Sequence, residues 1–190
     1  MVFSLIKDVM LKAVLLAGAL CAGALAQADY RIETVTGGLA HPWSMAFLPD
    51  GRMLVTERTG QLRLIDAQGK LQAEPIRGMP TPFVATQAGL MDVVLDPHFA
   101  SDPWIYLSYA HGELDANNTR LARARLVDGE LRDFQVLFTA QPAKAGASHY
   151  GGRIAFLPDD TLVLTLGDGF DWREQAQNLA NHLGLSLIHI

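Results

Sequence analysis

Ala46-Phe47-Leu48-Pro49-Asp50 occurs a second time in the chain, as Ala155-Phe156-Leu157-Pro158-Asp159. In the first copy the apolar run meets a Pro49-Asp50-Gly51 turn and returns as Met53-Leu54-Val55-Thr56-Glu57; Gly60 then turns the chain into Gln61-Leu62-Arg63-Leu64-Ile65. In the later copy the return is Thr161-Leu162-Val163-Leu164-Thr165-Leu166. Between them, Val93-Val94-Leu95-Asp96-Pro97 leads through Ser101-Asp102-Pro103 into Trp104-Ile105-Tyr106-Leu107-Ser108-Tyr109. The prolines at 49, 97 and 158 stand 48 and 61 residues apart. Short β-rich runs joined by Asp-Gly and Gly turns predict antiparallel hairpins.

Further strands are expected at 120–126 and 134–138, and no amphipathic helix of normal length appears after Tyr30. A four-stranded unit recurring about every 40–50 residues is the period of propeller blades. The fold class expected is therefore all-β, with two full blades and the start of a third between residue 30 and about 184. Propellers typically close with 4–8 blades, so this is read as the N-terminal part of a larger ring. A β-sandwich, which also spaces short strands by regular turns, is the alternative for the repeat.

Upstream of the repeat, Lys7 and Lys12 precede an apolar run from Ala13 to Ala22, and Ala24-Leu25-Ala26 has the small-x-small pattern of a cleavage site. A basic start, a short apolar core and an A-x-A end read as a secretory signal peptide over residues 1–26. A retained anchor is the alternative, but the run falls short of the roughly 20 apolar residues that a membrane span needs. No membrane association is expected after cleavage, and the setting implied is periplasmic or secreted. The single cysteine, Cys21, lies inside the signal. The mature chain has no disulfide, so its stability must come from its core.

Composition narrows the function. The 190 residues carry a formal net charge of −5, with 49% hydrophobic and 18% charged residues. Lys and Arg are dispersed, without the basic patch that phosphate backbones require, so nucleic-acid binding is not expected. The chain has no Gly-x-Ser-x-Gly elbow, no P-loop and no dinucleotide fingerprint. No two of its six histidines have helical metal-ligand spacing, so no metal site is assigned. Asp168-Gly169-Phe170-Asp171 lacks the oxygen ligands of a calcium loop. Asn117-Asn118-Thr119 is a glycosylation sequon.

His149 stands out by its position. Ser148-His149-Tyr150-Gly151-Gly152-Arg153 precedes the first strand of the third unit, and Leu166-Gly167-Asp168-Gly169 follows the second. A strand, a turn and a strand running back return the chain to the end where it began. His149 and Asp168 are thus expected within reach of each other, at an end that in a propeller faces the central channel. A carboxylate on one imidazole nitrogen fixes the tautomer and raises the basicity of the other, which is a general-base arrangement. A purely structural His-Asp bond at a blade corner fits the spacing equally well. Gln87, in Thr86-Gln87-Ala88-Gly89-Leu90, occupies the same place before the second blade. It either aims a donor into that channel or belongs to a surface turn.

From about Tyr30 to Gly184 the chain resembles the soluble, pyrroloquinoline quinone (PQQ)-dependent aldose sugar dehydrogenases, the glucose/sorbosone dehydrogenase family. The resemblance rests on the order and spacing of several strings. These include Gly38 to Gly51, Thr56-Glu57-Arg58, Gln87 to Val93 and Asp96-Pro97-His98-Phe99. The most specific are His149-Tyr150-Gly151-Gly152-Arg153, Gly167-Asp168-Gly169 and Ala176-Gln177-Asn178-Leu179. It implies a six-bladed propeller holding PQQ over the channel, with calcium helping to bind the cofactor. It implies oxidation of an aldose at the anomeric carbon to a lactone, with hydride transfer to PQQ and electrons passed to an external acceptor. By the same resemblance His149 is the catalytic base and a cofactor-binding residue, Asp168 supports it, and Gln87 contacts the quinone. The calcium ligands and cofactor-clamping basic residues are expected beyond residue 190, so the chain alone is expected to be inactive.

The domain reading is a signal peptide at 1–26, the first part of the propeller at 27–184, and a tail at 185–190. Leu185-Ser186-Leu187-Ile188-His189-Ile190 departs from the basic strand that the family places there. With no closing strand to pair against, it reads either as the start of a genuine strand or as non-native sequence, and the second is favoured. The competing functions are a non-catalytic propeller that binds a carbohydrate or protein, and a calcium-dependent lactonase propeller.

Overall fold

Each repeat folds into its own antiparallel sheet, made from one unbroken stretch of chain. In the computed structural model, which describes residues 30–189, the first sheet runs β1 (Pro42–Phe47), β2 (Met53–Glu57), β3 (Leu62–Ile65). The second runs β4 (Leu90–Leu95), β5 (Trp104–Glu113), β6 (Ala116–Val127), β7 (Glu130–Thr139). The third contains β8 (Gly151–Phe156), β9 (Leu162–Leu166) and β10 (Ser186–His189), with β9 in the middle. β1 lies beside β4 and β4 beside β8, so the first strands of successive sheets follow one another in series. This is the meander-blade arrangement of a β-propeller. A sandwich would share its strands between two facing sheets, so that alternative is excluded.

Among the described residues the only helical segment is one 3-10 turn, Arg173–Gln177. None of their helices is long and apolar enough to cross a membrane. The signal-peptide reading, over residues 1–26, lies outside the described residues. Ser186–His189 pair antiparallel with β9, with Ser186 opposite Thr165 and His189 opposite Leu162. The expectation that this segment lacks a partner is corrected: ladder bonds use main-chain groups, which any sequence carries.

The repeated string makes the same turn twice. Leu48 donates its N–H to the Arg52 carbonyl and accepts from the Gly51 N–H, at 2.8 and 3.0 Å. Leu157 does the same with Thr161 and Asp160, again at 2.8 and 3.0 Å. Gly51 sits at φ +85°, and Asp160 takes its place at φ +64°. That left-handed conformation costs nothing at glycine and is strained at an aspartate.

Alternation along β5 explains how one strand serves two cores. Ile105, Leu107 and Tyr109 face the first sheet and pack with Leu54, Leu62, Leu90 and Val93. Tyr106 faces the other way, joining Ile154, Leu162, Leu164 and Leu166 of the third sheet. Its ring meets Phe156 edge-on at 5.1 Å. Successive strand residues point to opposite faces, so a sheet covered on both sides reads as a nearly continuous apolar run. Trp104 to Tyr109 is such a run. By contrast, Met45 and Phe47 on β1 remain 54% and 65% exposed.

Candidate active site

The β8–β9 hairpin delivers its two flanking residues to one place. His149 precedes β8, Asp168 follows β9, and the His149 Nδ1 lies 2.8 Å from Asp168 Oδ1. A carboxylate only accepts, so Nδ1 carries the proton and Nε2 is the basic nitrogen. No described residue hydrogen-bonds Nε2. The imidazole is partly open to solvent, and Phe170 packs against it edge-on at 5.0 Å. The Phe170 N–H donates to Asp168 Oδ1 at 2.8 Å, and with the His149 contact it holds the Asp168 carboxyl below the usual carboxylate range. The carboxylate therefore stays charged when the imidazole needs it.

Gly167 permits the close approach. A Cβ at this position would collide with the His149 carbonyl oxygen. The strands can bring residues 149 and 168 together only because nothing stands between them. The His149 carbonyl accepts the Gly169 N–H at 3.1 Å, and the Tyr150 carbonyl accepts the Gly167 N–H at 2.8 Å.

Gln87 arrives from the turn that precedes β4. Its Oε1 accepts the His149 N–H at 2.9 Å, so all three site residues singled out in the sequence meet. A cleft of about 370 Å³ at this end is lined by Trp43, Arg58, Gln87, His149 and Tyr150 together with Thr86, Met91 and Gly151. Arg58 makes no ion pair among the described residues; its Nη1 donates to the Thr86 carbonyl. A guanidinium without an ion pair and the Gln87 amide supply donors, and an aromatic ring an apolar face, which together suit a planar, anionic ligand. Among the described residues no group of three or more His, Cys, Asp or Glu is placed to hold a metal ion. His41 lies in a bend and His98 in a turn, and His98 Nε2 approaches Asp160 Oδ2 at 3.4 Å on the exposed surface.

Beneath the site is a buried polar cluster that sequence reasoning missed. Lys144 is only 3% exposed and has no carboxylate partner. Its Nζ lies 3.3 Å from Asn117 Oδ1 and 3.9 Å from the centre of the Tyr150 ring. Desolvation lowers the lysine to about 8 and pushes the Tyr150 phenol up to about 12. The phenol donates to Asn117 Oδ1 at 2.6 Å. Asn117 itself is fully buried, with Nδ2 at 2.8 to 3.3 Å from the carbonyls of Glu113, Leu114 and Gly146. The sequon around it is closed in the folded protein.

A second buried anchor is Asp92, at 2% exposure. Its carboxylate accepts from Ser44 Oγ on β1, and from Arg153 Nη1 and the Ile154 N–H on β8. One side chain on the second sheet thus holds the first and the third. Arg153 completes the contact by stacking on Trp43 at 4.2 Å.

Comparison with known proteins identifies the family. A family model described as Glucose / Sorbosone dehydrogenase matches residues 39–189. An aldose sugar dehydrogenase of Escherichia coli is 38% identical over 158 residues, covering 81% of this chain and 42% of that protein. The crystal structure of the soluble E. coli aldose sugar dehydrogenase, in its apo form, superposes with a TM-score of 0.79 at 36% identity. That alignment covers 83% of this chain and 46% of the other. The PQQ-bound aldose sugar dehydrogenase of Streptomyces coelicolor gives a TM-score of 0.73 at 28% identity, over 84% and 47% of the two chains. The chain therefore spans less than half the length of these relatives, and it belongs to the glucose/sorbosone dehydrogenase family.

Proposed function

We propose that the protein to which this chain belongs is a PQQ-dependent aldose sugar dehydrogenase, oxidising its substrate at the anomeric carbon to a lactone. The observation that carries this reading is the His149–Asp168 pair, closed at 2.8 Å and leaving Nε2 unengaged beside a cleft with a cation and an amide. His149 Nε2 takes the proton of the anomeric hydroxyl. Asp168 keeps the Nδ1 proton in place and stabilises the imidazolium that forms. Bound PQQ supplies the acceptor for the hydride that leaves the same carbon. Proton and hydride together account for the two electrons and two hydrogens lost when the sugar becomes a lactone. Arg58 and the Gln87 amide are the groups of this chain that would hold the cofactor, with Trp43 as an apolar wall.

The wider reading is an exported enzyme whose residues 1–26 are removed, acting in the periplasm or outside the cell and passing electrons to an external acceptor. Residues 27–184 form the first part of its propeller. Residues 185–190 are taken as non-native despite the β-pairing of Ser186–His189. Calcium would be held by residues elsewhere in the complete protein.

The test is dye reduction by the full-length protein with aldoses and calcium, with and without PQQ. Activity that needs PQQ and disappears in His149→Ala supports the reading. Folded protein that reduces no dye with any aldose, in the presence of PQQ, overturns it in favour of a partner-binding propeller.

A further inference from the structure

His149 has a left-handed backbone, at φ +51°. For a residue with a Cβ this conformation is strained, and it persists only where neighbours impose it. Both of its peptide groups are held. The carbonyl accepts from Gly169, and the N–H donates to Gln87 Oε1. Gln87 is itself fixed from the same segment, its N–H donating to the Ala147 carbonyl at 3.1 Å. Thr86 Oγ1 donates to that carbonyl at 2.6 Å, and Thr86 in turn receives Arg58 from the end of the first sheet. A chain of bonds thus runs from Arg58 through Thr86 and Gln87 to His149, crossing three sheets.

We propose that Gln87 is a positioning residue for His149, its amide oxygen holding the strained backbone that aims the imidazole into the cleft. The bond also fixes the amide's orientation. A backbone N–H needs an acceptor, so the oxygen faces His149 and the NH2 group is left for the cleft. Gln87 then has two roles separable by chemistry, an acceptor toward the protein and a donor toward a ligand. The kinetic part of this inference rests on the reading of His149 as the base; the backbone part does not.

The experiment uses the full-length protein and two substitutions. Gln87→Glu keeps an acceptor for the His149 N–H and removes the NH2 donor, whereas Gln87→Met removes both at similar length. Amide hydrogen exchange at His149 is measured without PQQ or sugar, so its result stands even if the dehydrogenase reading fails. Gln87→Met is expected to speed that exchange about 10-fold or more, while Gln87→Glu stays within about threefold of wild type. In turnover at saturating PQQ, Gln87→Met should lower kcat about 10-fold, with the KM for sugar changed less than about threefold, whereas Gln87→Glu should show its loss chiefly as weaker PQQ binding. Should Gln87→Met fail to fold, Thr86→Val loosens the same chain of bonds and should also speed exchange at His149. Wild-type exchange in Gln87→Met, or in Thr86→Val where that variant stands in, overturns the proposal. So does an equal kcat loss in Gln87→Met and Gln87→Glu at saturating PQQ.

Discussion

Asp92 Oδ2 accepts the Ile154 N–H at 2.8 Å, tying the first strand of the second sheet to the first strand of the third. Its other oxygen takes Ser44 Oγ at 2.5 Å and Arg153 Nη1 at 3.3 Å. Ile154 lies five residues after His149 on the strand that carries it into the site. The carboxylate thus fixes the seat of the segment that carries His149 as well as the joint between sheets.

Asp92→Ala should destabilise the full-length protein by about 3 kcal/mol, because it leaves a buried N–H and two polar side chains without their acceptor. Asp92→Asn, which keeps one acceptor oxygen, should lose about half as much. Urea unfolding midpoints measure both. Equal, small losses would mean that the three sheets are held by apolar packing alone.

Asp168→Asn should leave the hairpin folded while removing the group that dictates the Nδ1 tautomer. An amide can present its NH2 to Nδ1 and stabilise the wrong tautomer, so kcat should fall by about 10³. Affinity for PQQ, measured by titration, should change far less. A fall of less than about tenfold would assign Asp168 a structural role only.

Lys144 makes a prediction in pH. Its folded value is about 8, against an ordinary 10.5, so between those limits the unfolded chain binds more protons than the folded one. Stability from this group therefore rises as pH increases from 8, and below 8 the cost of burying the charge is constant. Tyr150, raised to about 12, acts in the opposite direction above pH 10. Between pH 8 and 10 the wild type should gain stability relative to Lys144→Met, as read from the difference between their urea midpoints. A difference that stays flat over that range would place the lysine's titration elsewhere.

Asp160→Gly restores to the third unit the residue that the first uses at the same turn. It relieves a left-handed aspartate and gives up only an exposed contact with His98, worth little in water. The expected gain is about 0.5–1 kcal/mol, measured by thermal melting of the full-length protein. A loss of stability would show that the His98 contact outweighs the strain.

Much of this was legible because it is local. The Leu-Pro-Asp turn announces its hairpin wherever it occurs, and a hairpin brings its two flanks together, which placed His149 beside Asp168 without any tertiary information. Gln87 could be ranked only by analogy of position, since its bond to His149 spans 62 residues. Asp92, Lys144 and Asn117 were not readable as structural residues. Each is a polar side chain of ordinary type, and what distinguishes it is burial between sheets that meet only when the blades stack. The β-pairing of Ser186–His189 was the less favoured of two readings because the segment was judged by side-chain pattern, whereas the ladder is made by the backbone.

The closed environment of Asn117 bears on how the protein should be produced. A yeast or mammalian secretory pathway reads Asn-x-Thr on the emerging chain, before any sheet has formed. A glycan attached there would sit on an amide nitrogen that the folded protein surrounds with three carbonyls, and the second and third blades would be unable to close over it. Oligosaccharide transfer and folding would then compete for each molecule, and the modified fraction would be lost. A bacterial host, or the substitution Thr119→Val in a eukaryotic one, avoids that competition; the second choice gives up the bond from Thr119 Oγ1 to the Tyr150 carbonyl.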